Sequence, residues 1–231
     1  MATVLSEQAF RDCLKPLHGL QVSLAWKGYG SAIFLELGRL SAPENDRGQH
    51  ERGEACLSVE WDWRVERESS VLFGSSNTRP EIEVGIRGLQ GSRIENIEAV
   101  GAVPELVALF SNGQRLQSMI MTNGDPQWGI KLPSGSWLSV KGGLLLLDAE
   151  PEGSTEEYTN ESKVTENATS RWGVPIAEPV QGRCDSCDWF RRLDGDFYLL
   201  DYGVCIAETS PFDGLVVHNS SGCPIFSFSA V

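Results

Sequence analysis

Basic residues are scarce. The 231-residue chain carries 19 Lys and Arg against 32 Asp and Glu, a formal charge of −13, and a surface of that sign repels phosphate backbones and anionic lipid. Nucleic-acid and membrane binding are therefore not expected, and the charge favours a basic protein as partner. Long apolar runs are also missing. Stretches such as Leu144 to Leu147 fall far short of the roughly 20 residues that span a bilayer as a helix. Residues 1–10 lack a basic segment followed by an apolar one, so no secretory signal is read there and the cytoplasm is the expected location. Histidine is rarer still: His18, His50 and His218 are the only three, and none sits in an H-E-x-x-H spacing. Gly28-Tyr29-Gly30-Ser31 lacks the further glycine or Lys-Ser/Thr of a phosphate loop and reads as a turn. A Cys–His dyad through Cys13 or Cys56 is a weaker reading than two thiols packed in a core. No residue is assigned a catalytic role, and an enzyme is not the expectation.

A hydrophobic share of 41% is enough to bury a sizeable core. Charge divides what surrounds it. Residues 1–147 are nearly balanced, with 17 acids and 14 bases; residues 148–178 carry 8 acids and 2 bases, and 179–231 carry 7 and 3. The middle span is rich in Glu, Gly, Ser, Thr and Asn and poor in apolar residues, a composition that cannot offset its own ordering entropy. It reads as an acidic linker between a domain at 1–147 and a small module at 179–231.

In the first domain Ser6 can cap a helix whose Phe10, Cys13, Leu14 and Leu17 follow the i, i+3, i+4, i+7 stripe before Pro16 limits it. The period then becomes two. Val59, Trp61, Trp63 and Val65 alternate with Glu60, Asp62, Arg64 and Glu66, which predicts a half-buried strand with its acids on a solvated face. Asn112-Gly113, Asn123-Gly124 and Ser134-Gly135 punctuate apolar runs, as hairpin turns do. Leu17-x-Gly19-x-x-Val22 recurs 72 residues on as Leu89-x-Gly91-x-x-Ile94, with Trp63 and Trp137 in comparable places. The expected fold is mainly β: an antiparallel sandwich or barrel of two meander-like repeats after a short N-terminal helix, followed by a metal-stapled module.

The module is read from its cysteines. Cys184-x2-Cys187-x17-Cys205-x17-Cys223 puts four thiols within 40 residues, and a C-x-x-C turn lets two sulfurs reach one ion. Gly203 and Gly222 precede the last two and would give backbone freedom there. Four soft ligands select zinc or iron, so Cys184, Cys187, Cys205 and Cys223 are the candidate ligands of a zinc ion, with an iron–sulfur cluster as the alternative. With no fourth position left for water, such a site is structural rather than catalytic. Asp213-Gly214 after Ser210-Pro211 predicts a turn.

One C-x-x-C followed by two lone cysteines, the last after Gly222, resembles high-potential iron–sulfur proteins. That likeness implies a cluster screened from water by aromatics such as Trp189, Phe190, Phe197, Tyr198, Tyr202, Phe212, Phe226 and Phe228. The tail also resembles that of uncharacterised bacterial proteins. The likeness is carried by Cys187-x-Trp189-Phe190, Tyr202-Gly203-Val204-Cys205, Ser210-Pro211-Phe212-Asp213-Gly214-x-Val216-Val217 and Gly222-Cys223. This second resemblance implies one compact unit and no particular activity.

Overall fold

The computed structural model of the protein describes residues 2–42, 50–121, 127–148, 167–175, 181–193 and 199–228. The chain divides into two units, Met1–Asn77 with Glu81–Gly153, and Thr78–Pro80 with Ser154–Val231. Among the described residues the fold is mainly β, in three open antiparallel sheets with no barrel closure. None of the described helices is long and apolar enough to cross a membrane.

The first unit begins with strand β1 (Thr3–Val4) and helix α1 (Glu7–Leu14), whose N-terminus is capped by the Ser6 hydroxyl accepting the Ala9 N–H at 3.2 Å. Pro16 tightens the chain into a 3-10 turn, Lys15–Leu17. Phe10, Leu14 and Leu17 are buried, and Cys13 packs half-buried against the same core. There follow β2 (Val22–Lys27), β3 (Ile33–Leu37), β4 (Ala55–Val59), β5 (Trp63–Arg67) and β6 (Ser70–Gly74). After helix α2 (Arg79–Arg87) come β7 (Ile94–Val100), β8 (Glu105–Phe110), β9 (Arg115–Ser118), β10 (Trp128–Lys131), β11 (Trp137–Lys141) and β12 (Leu144–Asp148). One sheet has the order β1-β12-β11-β10-β4-β3-β2 and the other β6-β5-β9-β8-β7. Their inward residues, such as Leu35, Leu57 and Ile130 from one and Val65, Leu106 and Leu116 from the other, form a single core with both helices. Gly113 and Gly135 turn the β8–β9 and β10–β11 connections at positive φ; Asn123-Gly124 lies outside the described residues.

The alternation from Val59 to Val65 is not one strand. β4 ends at Val59, and β5, starting at Trp63, belongs to the other sheet. Between them Trp61 takes φ 58°, its carbonyl held by the Ser31 hydroxyl at 2.7 Å. Val59 closes one strand buried and Trp63 opens the next buried, so the period of two in the sequence runs on through a change of sheet. Glu60 to Asp62 form the crossover rather than a solvated strand face.

The repeat is realised as a local two-fold. Gly19 N–H donates to Ile94 O at 2.8 Å and Gly91 N–H to Val22 O at 2.9 Å; Ile94 N–H donates to Leu20 O at 2.9 Å and Val22 N–H to Ser92 O at 2.8 Å. Gln21 and Arg93 form a bridge at the centre. Each donor and acceptor maps onto its counterpart by the 72-residue offset. Both glycines have positive φ, 80° and 86°, a conformation open to glycine at little cost. The same offset carries α1 onto α2, β2 onto β7 and β3 onto β8.

Beyond the third strand the two copies exchange partners. β4 of the first copy pairs with β10 of the second, Val59 opposite Trp128 and Leu57 opposite Ile130. β9 of the second copy pairs with β5 of the first, Ser118 opposite Trp63 and Leu116 opposite Val65. The registers are equivalent, so the counterpart of Trp63 is Trp128, not Trp137. Both rings are buried, and each indole N–H donates to a carbonyl just ahead of an equivalent strand, β3 or β8: Trp63 to Ser31 O at 2.9 Å, Trp128 to Pro104 O at 3.0 Å. Trp137 pairs with Lys131 on the opposite face, where its ring lies over Gly129.

In the second unit β13 (Phe190–Arg192), β14 (Tyr202–Cys205) and β15 (Val216–His218) form an antiparallel sheet in that order. A one-turn helix, Ala168–Arg171, leads to Val174; Ala168 and Val174 are buried against Tyr202, and Thr169 hydrogen-bonds the Tyr202 hydroxyl at 2.7 Å. These residues fall inside the span 148–178 read as linker, of which 149–166 and 176–178 lie outside the described residues.

Candidate metal centre

Cys184 opens a 3-10 turn, Cys184–Ser186, that closes when Cys187 N–H donates to Cys184 O at 3.0 Å. Ser186 N–H donates to Arg183 O in the same turn, so two of its amides serve carbonyls rather than sulfur. Cys184 N–H is tied to Ser221 O, two residues before Cys223. Cys205 ends β14 opposite Phe190, and its carbonyl accepts Gly214 N–H at 2.8 Å. The turn read at Ser210 to Gly214 is present: Asp213 N–H donates to Ser210 O, Leu215 N–H to Phe212 O, and Gly214 has φ 70°.

These connections bring the four cysteines to one place. Cys184, Cys187, Cys205 and Cys223 line a single cavity whose other walls include Phe190, Val217 and Ile225. Cys184, Cys205 and Cys223 are buried and Cys187 is half-buried, and none is in a disulfide. Burial pushes the Cys184 thiol up to about 12, with the neighbouring Cys187, Cys223 and Cys205 adding to the shift. As they stand, no group of three or more His, Cys, Asp or Glu among the described residues has the arrangement to hold a metal ion. The thiols surround the cavity without being drawn onto a common point.

Gly203 and Gly182 stand where a ring packs against the backbone. Gly203 is not at positive φ; a side chain there would meet the Phe190 ring, and one at Gly182 would meet the Phe226 ring. The aromatics do not form one shield. Phe190 and Trp189 line the cavity and Phe212 packs beside it, while Tyr202 belongs to the cluster around Ala168 and Phe228 is exposed. Phe197 and Tyr198 lie outside the described residues.

Cys56 and Glu36 of the first unit have structural surroundings. Cys56 is buried opposite Glu36, and burial with the adjacent carboxylate holds its thiol far above the ordinary range, the reverse of what a nucleophile needs. Glu36 is itself fully buried, accepting from Trp26 Nε1 at 3.2 Å, Arg52 at 3.2 Å and Gly53 N–H at 2.9 Å. It fastens the 50–54 segment to the sheet's outer face, where His50 and Arg52 stack on Trp26. Gly28 to Ser31 is a turn, closed by Gly28 N–H to Ala32 O and Ala32 N–H to Tyr29 O.

Residues 153–229 match the model of a protein family of unknown function, DUF3027. The match covers about a third of the chain and contains all four cysteines and the Ser210-Pro211-Phe212-Asp213-Gly214 turn. No curated protein and no solved structure matches the chain. Within the DUF3027 region, sequence reasoning missed Ser210. Its hydroxyl accepts Phe212 N–H at 3.1 Å and lies 3.6 Å from Cys223 Sγ. The motif around it was readable as a turn, but nothing in the spacing says which cysteine that turn meets.

Proposed function

We propose that the protein is a non-enzymatic interaction protein whose DUF3027 region is held together by a structural zinc ion on Cys184, Cys187, Cys205 and Cys223. The observation that carries this reading is the convergence of four unpaired thiols on one apolar-walled cavity from a tight turn, a strand end and a C-terminal loop. The donor set suits the ion: four soft sulfurs favour zinc or iron over hard cations. Metal sites of this kind assemble as they bind, because deprotonated ligands repel one another until a cation is present. Thiols standing apart around a cavity are the arrangement expected before that gathering. Four protein ligands leave no open position for water, so the ion's contribution is to folding.

Elemental analysis of the full chain, purified without added metal, tests the reading. One zinc per chain and a colourless protein are the expected result. Iron with absorbance near 400 nm, roughly where sulfur-to-iron charge transfer falls, would instead support the second reading, an electron-transfer cluster beside Phe190 and Trp189. Absence of both metals, with free alkylation of all four cysteines in the native protein, overturns both.

The partner proposed for the protein is a basic protein. Most of the excess acid lies in residues 148–231, and charge of one sign steers a complementary surface and is screened by salt. Binding to such a partner is expected to weaken steadily as ionic strength rises; an affinity indifferent to salt would remove the charge argument.

A further inference from the structure

The two features of the DUF3027 region that zinc ligation alone leaves unexplained are the burial of Ser210 and its approach to one sulfur. Ser210 and Cys223 are each only 8% exposed, and the Ser210 hydroxyl is the hydrogen-bond partner that any of the four tail sulfurs has among the described residues. The serine is held from both sides, its N–H donating to Ala207 O at 2.8 Å and its carbonyl accepting Asp213 N–H at 3.2 Å. Its Oγ accepts the Phe212 N–H at 3.1 Å. A hydroxyl has one proton to give. With a lone pair already committed to Phe212, that proton is free for the sulfur 3.6 Å away.

We infer that Ser210 is a positioning residue of the metal centre, donating a hydrogen bond to the Cys223 thiolate and singling that sulfur out from the other three. The inference rests on the four-cysteine reading above. Once Cys223 ligates a cation it has no proton, so the direction of the bond is fixed: oxygen donates, sulfur accepts. A hydrogen bond to an ionised acceptor is stronger than one between neutral groups, and outer partners of this type orient a ligand and lower the charge it gives to the metal. Cys184, Cys187 and Cys205 have no such donor among the described residues, so the bond makes the four sulfurs inequivalent. Cys223 becomes the least electron-rich of the set and the least reactive toward electrophiles.

The test is a cobalt(II) titration of the full chain, wild type against Ser210→Ala and Ser210→Thr. Loss of the hydroxyl is expected to weaken cobalt affinity by about 10- to 100-fold, the usual effect of removing an outer-shell partner. It should also move the sulfur-to-cobalt charge-transfer band to lower energy, because the sulfur becomes more electron-rich. Threonine retains the donor and should restore both. The band is the decisive readout: a merely loosened turn lowers affinity without changing the colour of the complex that forms. An alanine variant with wild-type affinity and an unshifted band overturns the role of Ser210 while leaving the metal site standing. A wild-type chain that takes up no cobalt overturns the four-cysteine reading itself, and this inference with it.

Discussion

Replacing Cys205 by serine is expected to unfold the DUF3027 region and leave the first unit intact. The reason is the disparity between the two cores. The first unit buries large side chains from two sheets and two helices in one cluster, including Trp63, Trp128, Phe10 and Phe110. Among the described residues the second unit has two small clusters, one of Cys184, Cys205, Ala207 and Val217, the other of Ala168, Val174 and Tyr202. Two of the seven residues in those clusters are themselves proposed ligands. Ordering a chain costs about 1–2 kcal/mol per residue in backbone entropy alone, and units of this size ordinarily need a metal or disulfides to offset it. A structural zinc supplies on the order of 10 kcal/mol, comparable with the whole net stability of a domain, so removing one of four ligands is decisive. Hydrogen exchange read by mass spectrometry should show β13, β14 and β15 losing protection in Cys205→Ser while β2 to β12 keep theirs. Chelation of the wild-type protein should produce the same pattern. If Cys205 were only a packed thiol, the chelator would change nothing and the serine variant would lose about 1–3 kcal/mol, the cost of a buried polar replacement. Protection retained under both treatments therefore rules out the staple.

How much of this was readable beforehand differs between the units for a physical reason. Cysteine spacing is local information: a C-x-x-C turn and two later cysteines mark candidate ligands in the order of the residues, and the cavity gathers those four. The first helix was equally local, since its cap, its stripe and its terminating proline occupy one stretch from Ser6 to Leu17. Strand pairing is not. β4 meets β10 and β5 meets β9 across separations of many tens of residues, and alternation in Val59 to Val65 records only that side chains are buried, not in which sheet. One pattern there covers two strands in different sheets. The repeat was visible at Gly19 and Gly91 because positive φ admits few residues besides glycine. The second helix is carried by the repeat more than by its own local pattern: Ile82 and Ile86, buried on α2, stand 72 residues after Phe10 and Leu14. Ser210 was hidden for a related reason, since its contact with Cys223 exists only after the turn has folded onto the last loop.

The exchanged-strand arrangement makes a second large prediction, in which Trp128 behaves as Trp63 does and Trp137 does not. Removing a large buried aromatic costs about 3–5 kcal/mol, from lost transfer energy and from the cavity left behind. Trp63 and Trp128 are 2% and 1% exposed, begin equivalent strands in equivalent registers, and each satisfies a loop carbonyl, Ser31 O or Pro104 O. Their alanine variants should therefore lose about 3–5 kcal/mol each, and the two losses should agree within about 1 kcal/mol. Phenylalanine keeps most of the ring but orphans the carbonyl, so Trp63→Phe and Trp128→Phe should each lose about 1–3 kcal/mol. Trp137 is half-buried on the outer face, with no hydrogen-bond partner for its Nε1 among the described residues; Trp137→Ala should cost about 1 kcal/mol, the usual effect of a substitution outside the core. Urea unfolding followed by far-UV circular dichroism reads all five without depending on the tryptophan signal being removed. A large loss at Trp137 with a small one at Trp128 would restore the pairing of Trp63 with Trp137 and would mean that β10 is not the counterpart of β5. Equal losses at Trp63 and Trp128 would show that two copies of one motif, each lending its last strands to the other's sheet, hold the first unit together through the same indole contact made twice.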